Sequence, residues 1–238
     1  MSRIFLLSVS LLVIFYCCSC KAMHVLHVIQ TKDVEVAELT NKKKIVEFIP
    51  MHHVGKPEFY DGVKEIIAHY KNEGFVVYYE GTGMISGLDS ITRDHYERKF
   101  RRMLGVYVDT TGYAHYFHDK GLFKGLIDQP RYYKLGIDSN DVNVDIKKYK
   151  LVDAYEEKFG PIKLEQIDTA LRFDQVYPPG LKLPKEKVMS IILDYRNQNL
   201  ASHIQNSSDK KIVVIYGEEH LKGVYQLLKS FDPSWKRK

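Results

Sequence analysis

The chain has 238 residues, a formal net charge of +5 and 45% hydrophobic residues. A chain of this length can bury one hydrophobic core without help from cross-links. All three cysteines lie at or before position 20, so the rest of the chain can form neither a disulfide framework nor a thiolate metal site. The charge is spread along the sequence and forms no basic and aromatic patch, which argues against nucleic-acid binding.

Residues 1–20 show the pattern of an export signal: one positive charge at Arg3, an apolar run over residues 4–16, and small or thiol residues ending at Cys20. The apolar run is too short to span a membrane comfortably. The closing cysteine resembles a bacterial lipoprotein signal, in which Cys20 would be lipidated. The alternative is an ordinary cleaved signal. Either interpretation predicts an exported protein, and the first predicts a lipid anchor facing the periplasm or the cell surface.

The first half of the mature chain predicts a crossover unit. Residues 24–30 predict a strand, residues 34–39 a short edge strand, and residues 44–50 a buried strand. Pro57 suits the first turn of a helix, which Gly74 ends, and residues 75–79 predict the next buried strand. A strand, a helix of four turns and a strand favour a parallel pair.

The second half predicts further helices around one more buried strand. Helices are predicted over residues 90–104, 147–159, 163–173 and 185–204, and a strand over residues 131–138. The basic residues of the helix 90–104 are expected to face solvent. The helix 185–204 is expected to carry an apolar stripe along one side. The basic residues are Arg93, Arg98, Lys99, Arg101 and Arg102, and the stripe consists of Val188, Ile191, Ile192 and Tyr195.

Residues 210–231 organise the predicted fold. A continuous apolar run over residues 212–216 predicts a strand buried on both faces, Gly217 permits the turn, and an amphipathic helix follows with His220 in its first turn. The whole pattern predicts one α/β domain over residues 21–238, in which helices flank a mostly parallel or mixed sheet.

Three predicted strands end in residues that can carry chemistry. His52 and His53 follow the first strand, Glu80 the second and His220 the last. If these ends share one edge of the sheet, two imidazoles and a carboxylate could hold a zinc-like or manganese-like ion, or work without metal as a base and its orienting group. Each residue also has a simpler interpretation, since a histidine after a strand is often only a hydrogen-bonded rim residue and Glu80 could cap a turn.

The same segments resemble the TraB/TIKI-like family, which belongs to one fold superfamily with erythromycin esterases and ChaN-like haem-binding proteins. Residues 216–228 (YGEEHLKGVYQLL) resemble the second G-x-x-H motif of the family, and residues 48–63 the first, which aligns His53 with its histidine. Pro50 stands where the first motif has glycine, so His52 also remains a candidate. Residues 76–81 resemble the strand that delivers the family's glutamate, here Glu80, and residues 192–204 resemble the segment of its arginine, here Arg196 followed by Asn197.

The resemblance implies an EreA/ChaN-like fold and a metal-dependent hydrolase that acts on peptides or small molecules outside the cytoplasm. His53, His220 and Glu80 would hold a divalent manganese, cobalt or zinc ion, and Arg196 would supply positive charge to a carboxylate or a developing oxyanion. Two alternatives stay open at this point: a non-catalytic lipoprotein that binds haem or a peptide, and a metal-free esterase with His53 or His220 as base.

Overall fold

The computed structural model describes residues 29–83, 87–107, 112 and 121–238, and it is an α/β structure with a mixed six-stranded sheet. The sheet strands are β1 (Ala37–Thr40), β2 (Ile45–Met51), β4 (Val76–Tyr79), β6 (Val142–Asn143), β7 (Lys211–Gly217) and β8 (Lys236–Arg237), and the pair β3 (Val54–Gly55) and β5 (Ile127–Asp128) lies apart. The α-helices are α1 (Pro57–Asn72), α2 (Ser90–Leu104), α3 (Lys148–Phe159), α4 (Gln166–Ala170), α5 (Lys185–Met189), α6 (Arg196–Asn206) and α7 (Glu218–Phe231).

The strand order is β6-β4-β7-β2-β1-β8. Strands β6, β4, β7 and β2 run parallel, whereas β1 is antiparallel to both β2 and β8. Strand β7 lies in the interior of the sheet, where residues 212–216 are fully buried, as the continuous apolar run predicts. The predicted parallel relation of β2 and β4 is confirmed, although β7 lies between them.

Helices cover both faces of the sheet. Helices α6 and α7 pack on one face through Leu200, Ile204, Val224 and Leu228, and α1 packs on the other through Val63, Ile67 and nearby residues. Because α1 carries proline at its start and ends at Asn72, two residues before Gly74 with its φ of 79°, its predicted boundaries are confirmed. A third apolar cluster joins α2, α3 and α5 beside the sheet.

The predicted long helix over residues 185–204 contains a π-helical segment. Helix α5 continues into a π-helix over Ser190–Tyr195 and then into α6. A π turn adds a residue to the helical repeat, so the buried position after Ile191 falls on Arg196 instead of Tyr195. The prediction of Tyr195 on the apolar stripe is therefore wrong, since this side chain is 43% exposed.

Two strand predictions are wrong. Residues 131–138 form a 3-10 turn over Tyr132–Leu135, because Tyr132 stacks on Tyr79 and Leu135 enters the core from the same side of that turn. The residues that extend the sheet at this edge are those of β6. Residues 29 and 30 are helical where a strand was predicted, and residues 24–28 lie outside the described part of the chain.

The basic run of α2 faces solvent only in part. Arg101 is fully buried between the rings of Phe173 and Tyr177, and its guanidinium donates to backbone carbonyls of residues 168, 171 and 172. Arg102 forms ion pairs with Glu165 and buried Asp168. The prediction of solvent exposure fails for these two residues because the segment from α4 to Tyr177 covers them.

The export signal and the lipidation of Cys20 lie outside the described residues and stay predictions. Within the described ranges, no helix combines the length and the apolar character needed to cross a membrane.

Candidate active site at the sheet edge

The sheet topology brings the predicted strand ends to one edge. Met51 at the end of β2 pairs with Gly217 at the end of β7, and Tyr79 at the end of β4 pairs with Ile215. The amide of Glu80 donates to the carbonyl of Ile215 at 2.9 Å, which ties the residue after β4 to the central strand. Parallel strands ending at one edge form the usual ligand-binding crevice of open α/β sheets.

Glu80 is a largely buried carboxylate with a fixed position, and its side chain is 14% exposed. Its Oε1 accepts a hydrogen bond from Nη2 of Arg196 at 2.6 Å, and its Oε2 accepts one from the backbone amide of Gly217 at 2.6 Å. Burial raises the pKa of Glu80, but the charge and hydrogen bond of Arg196, together with His220 and His53, outweigh it and lower the pKa to about 2. The carboxylate also lies at the amino end of α7, where the helix dipole favours negative charge.

Arg196 links Glu80 to a second carboxylate, Asp145. Its Nε and Nη2 donate to Asp145 Oδ1 and Oδ2 at 2.9 and 2.7 Å, a bidentate arrangement, and its Nη1 donates to the carbonyl of Ile192. The side chains of Arg196 and Asp145 are 6% and 0% exposed. Although burial opposes it, the charges of Glu80 and Asp145 raise the pKa of Arg196, so the guanidinium stays charged. The cluster therefore holds two carboxylates around one cation.

His220 is a neutral, oriented imidazole. Its Nδ1 lies 2.7 Å from Oδ1 of Asn197, and because a carbonyl oxygen only accepts, Nδ1 carries the hydrogen. Burial, followed by the positive charge of Arg196, lowers the pKa of His220 to about 4. The ring packs edge-on against Tyr216 at a centroid distance of 5.0 Å. Its Nε2 is left with a lone pair that can accept a proton or bind a metal.

Gly217 separates the imidazole from the carboxylate. A Cβ atom at this position would lie 3.3 Å from Glu80 Oε2 and 3.5 Å from His220 Cδ2. The backbone of Gly217 has φ −51° and ψ 139°, which any residue adopts. The absent side chain therefore lets Glu80 and His220 both lie close to the backbone of Gly217.

The two histidines after β2 differ in environment. The His52 side chain is 11% exposed, stacks on Phe59 and lies 3.8 Å from a carboxylate oxygen of Glu218. Burial and the neighbouring His53 lower the pKa of His52 to about 4. His53 is exposed and acts electrostatically on both Glu80 and His220. His53 therefore lies near enough for its charge to affect Glu80 and His220, whereas His52 is held against Phe59.

The predicted ligands do not form a metal site as they are placed. In the described ranges, no three side chains of histidine, cysteine, aspartate or glutamate form a group that could hold one ion. The two oxygens of Glu80 are directed to Arg196 and to the amide of Gly217. A metal bound by His53, His220 and Glu80 stays a prediction.

Asp145 is the member of the site that the sequence did not reveal. It follows the two-residue strand β6, which is too short to give a periodic signal. Its carboxylate also accepts a hydrogen bond from the amide of Gly81 at 3.0 Å. The alternation of Val142 and Val144 before Asp145 is the one signal that could have found it. The sequence points to Asn197 only as the neighbour of Arg196. Its contact with His220 depends on the π turn.

The chain was compared with family models, curated proteins and solved structures, and it matches none of them.

Proposed function

We propose that the protein is a hydrolase of ester or amide bonds in which His220 is the general base. The observation that carries this proposal is the hydrogen bond from His220 Nδ1 to Asn197, which leaves Nε2 unprotonated on a ring that lies beside Gly217. A histidine whose pKa lies near 4 is deprotonated at neutral pH, so its Nε2 lone pair can accept a proton.

The proposed reaction uses a water molecule as the nucleophile. Nε2 of His220 takes one proton from this water while the water oxygen forms a bond to the substrate carbonyl carbon. The resulting imidazolium then gives that proton to the leaving alcohol or amine as the bond to the carbonyl carbon breaks. The carboxylate of Glu80 favours the imidazolium because its charge raises the proton affinity of His220.

Arg196 is a positioning residue in this proposal. Its donors are directed to Glu80, Asp145 and the carbonyl of Ile192, so the guanidinium fixes the two carboxylates and does not face an oxyanion. This buried pair of Arg196 and Glu80 also favours hydrolysis over haem binding, since a haem site has little need of it.

The metal-dependent hydrolase is the second candidate. A histidine whose Nδ1 is fixed by a carbonyl oxygen is also typical of metal sites, in which the other nitrogen binds the ion. His220 and His53 would then hold a divalent manganese, cobalt or zinc ion, which would supply Lewis-acid chemistry. An EreA/ChaN-like fold and a relationship to the TraB/TIKI-like family are part of the proposal, supported by the order of His53, Glu80, Arg196 and His220 in the chain.

The test is hydrolysis of a panel of peptide and ester substrates by the wild type and by His220→Gln. Because His220 supplies the base, the variant should lose about a hundredfold or more in rate. The assay is run with a chelator and then with added Mn²⁺, Co²⁺ or Zn²⁺. Activity that survives the chelator supports the metal-free mechanism, whereas activity that depends on the ion and falls in His53→Ala supports the second candidate. Equal activity of His220→Gln and the wild type would refute both.

A further inference from the structure

A groove lies between the π-helix and the first half of α7, on the other side of Asn197 from His220. Its volume is about 400 Å³. The lining residues are Leu193, Asp194, Asn197, Glu218, Glu219, Lys222, Gly223 and Gln226. The residues from α7 recur at helical spacing, so they form one face of that helix.

The charge of the groove favours a cation. Three carboxylates and one ammonium group line it. Glu218 also faces His52, but Asp194 and Glu219 are exposed and make no ion pair with any described residue. Two of the carboxylates occupy the first turn of α7, where an anionic ligand would otherwise bind. The groove therefore disfavours phosphate-like or carboxylate ligands.

Asn197 adds a buried hydrogen-bond donor to the groove. The residue is 3% exposed, and its Oδ1 is occupied by His220. Its Nδ2 makes no hydrogen bond within the described part of the chain. A Cβ atom on Gly223 would overlap this nitrogen, so Nδ2 lies against a residue that lines the groove. Because Nδ2 is not fully enclosed, it can donate to a carbonyl oxygen that a ligand brings.

We propose that this groove binds a lysine or arginine residue of a peptide substrate. The basic side chain lies against Asp194 and Glu219, and a carbonyl oxygen of the peptide accepts a hydrogen bond from Asn197 Nδ2. The inference rests on the proposed hydrolase function and gives it a substrate class. Since Asn197 bonds His220 through one amide atom and the substrate through the other, binding in the groove also steadies the orientation of the base.

The test measures binding of three probes to the purified protein by calorimetry: N-acetyl-lysine amide, N-acetyl-norleucine amide and butylamine. The lysine amide should bind at least about tenfold more tightly than the norleucine amide, because only the former carries a charge. The double variant Asp194→Asn/Glu219→Gln should bind the lysine amide about tenfold more weakly than the wild type does. The matched control Glu157→Gln/Glu186→Gln, which removes two exposed charges elsewhere, should leave its affinity unchanged.

Equal binding of the lysine and norleucine amides, or equal effects of the two double variants, would overturn the groove as a site for basic residues. Butylamine that binds as tightly as the lysine amide would overturn the peptide part of the proposal, since an amine has no carbonyl for Asn197. Binding needs no catalysis, so the two proposals can fail separately. Selective binding without hydrolysis refutes only the function, and hydrolysis by His220 with no preference for basic peptides refutes only the groove.

Discussion

At the scale of single residues, Glu80 and His220 both pack against Gly217. Its amide holds Glu80 Oε2, and a side chain here would press on that carboxylate and contact the His220 ring. The two functions are separable, because an alanine keeps the amide and tolerates the same backbone angles. This residue therefore offers a way to block the site without breaking it.

We expect Gly217→Ala to lower the hydrolysis rate by about tenfold or more while the free energy of unfolding changes by no more than about 1 kcal/mol. The added methyl group occupies the space between Glu80 and His220, at distances that neighbouring atoms can accommodate with small shifts. Enzyme assays and urea denaturation measure the two quantities. Gly180→Ala, whose Cβ would meet no atom within 4 Å, is the matched control and should keep full activity. Full activity of Gly217→Ala would show that no substrate enters beside this glycine.

The π-helix is the element that assembles the site. It shifts the buried face of the helix by one residue, so that Arg196 reaches Glu80 and Asn197 reaches His220, while Asp194 and Tyr195 face outward. Extra residues of this kind are frequent at functional sites. In a regular α-helix, the next buried position would lie four residues after Ile191, at Tyr195. The π-helix places it five residues after Ile191, at Arg196.

Deletion of Tyr195 tests this shift. The deletion removes the extra residue, so Arg196 then follows Ile191 at regular α-helical spacing and α6 keeps its buried residues. We expect the free energy of unfolding to fall by no more than about 2 kcal/mol. Deletion of Gln198, an exposed residue of α6, is the control: it turns Leu200, Ala201 and Ile204 away from the core and should cost about 4 kcal/mol or more. Equal losses of unfolding free energy in the two deletion variants, measured by urea denaturation, would show that Tyr195 is not the extra residue of the helix.

A regular helix is what periodicity predicts over residues 185–204, and it fails here for a physical reason. Ile191, Ile192 and Tyr195 match a helical stripe, and the sequence shows no glycine or proline that marks the wider turn. The turn is stabilised by burial of Arg196 against Glu80 and Asp145, which are distant in the chain. Local patterns cannot reveal a helix defect whose energy comes from tertiary ion pairs.

At the scale of the whole molecule, the buried ion cluster makes stability depend on acid pH. The folded pKa of Glu80 is about 2, against an ordinary value of 4.5. Because the folded pKa is the lower one, Glu80 contributes stability above pH 4.5, and this contribution is lost as pH falls toward 2. The difference corresponds to about 3 kcal/mol near neutral pH.

We expect Glu80→Gln to be less stable than the wild type by about 3 kcal/mol at pH 6.5 and by about half of that at pH 3. At pH 3 the Glu80 carboxyl is protonated in the unfolded wild type but still mostly ionised in the folded one, so its ionisation on folding costs part of the gain. Urea denaturation at both pH values measures the difference in unfolding free energy between the wild type and Glu80→Gln. Glu157→Gln, which alters an exposed carboxylate, should follow the wild type at both values. A difference that stays constant with pH would mean that the carboxylate of Glu80 is not held in its charged form.

The parallel arrangement of β2, β4 and β7 could be predicted from the whole sequence, because continuous apolar runs and one crossover helix specify it. The placement of Glu80 and His220 at one edge follows from that arrangement. Only the alternation of Val142 and Val144 points to Asp145, because its strand has two residues. The contact of Asn197 with His220 could not be predicted, since it depends on the π turn. The buried Arg101 and Arg102 were missed because the segment that covers them is distant in sequence.

The protonation of His220 tests the central claim most directly, and it needs no substrate. Nitrogen-15 NMR of the histidine side chains, recorded from pH 3.5 to 8 and assigned with His220→Gln, reports both the tautomer and the pKa. The structure predicts a His220 ring with its proton on Nδ1, a bare Nε2 and a pKa of about 4. A ring protonated on Nε2 would contradict a general base held by Asn197, and one that titrates near its ordinary pKa of 6.5 would contradict its burial at this site.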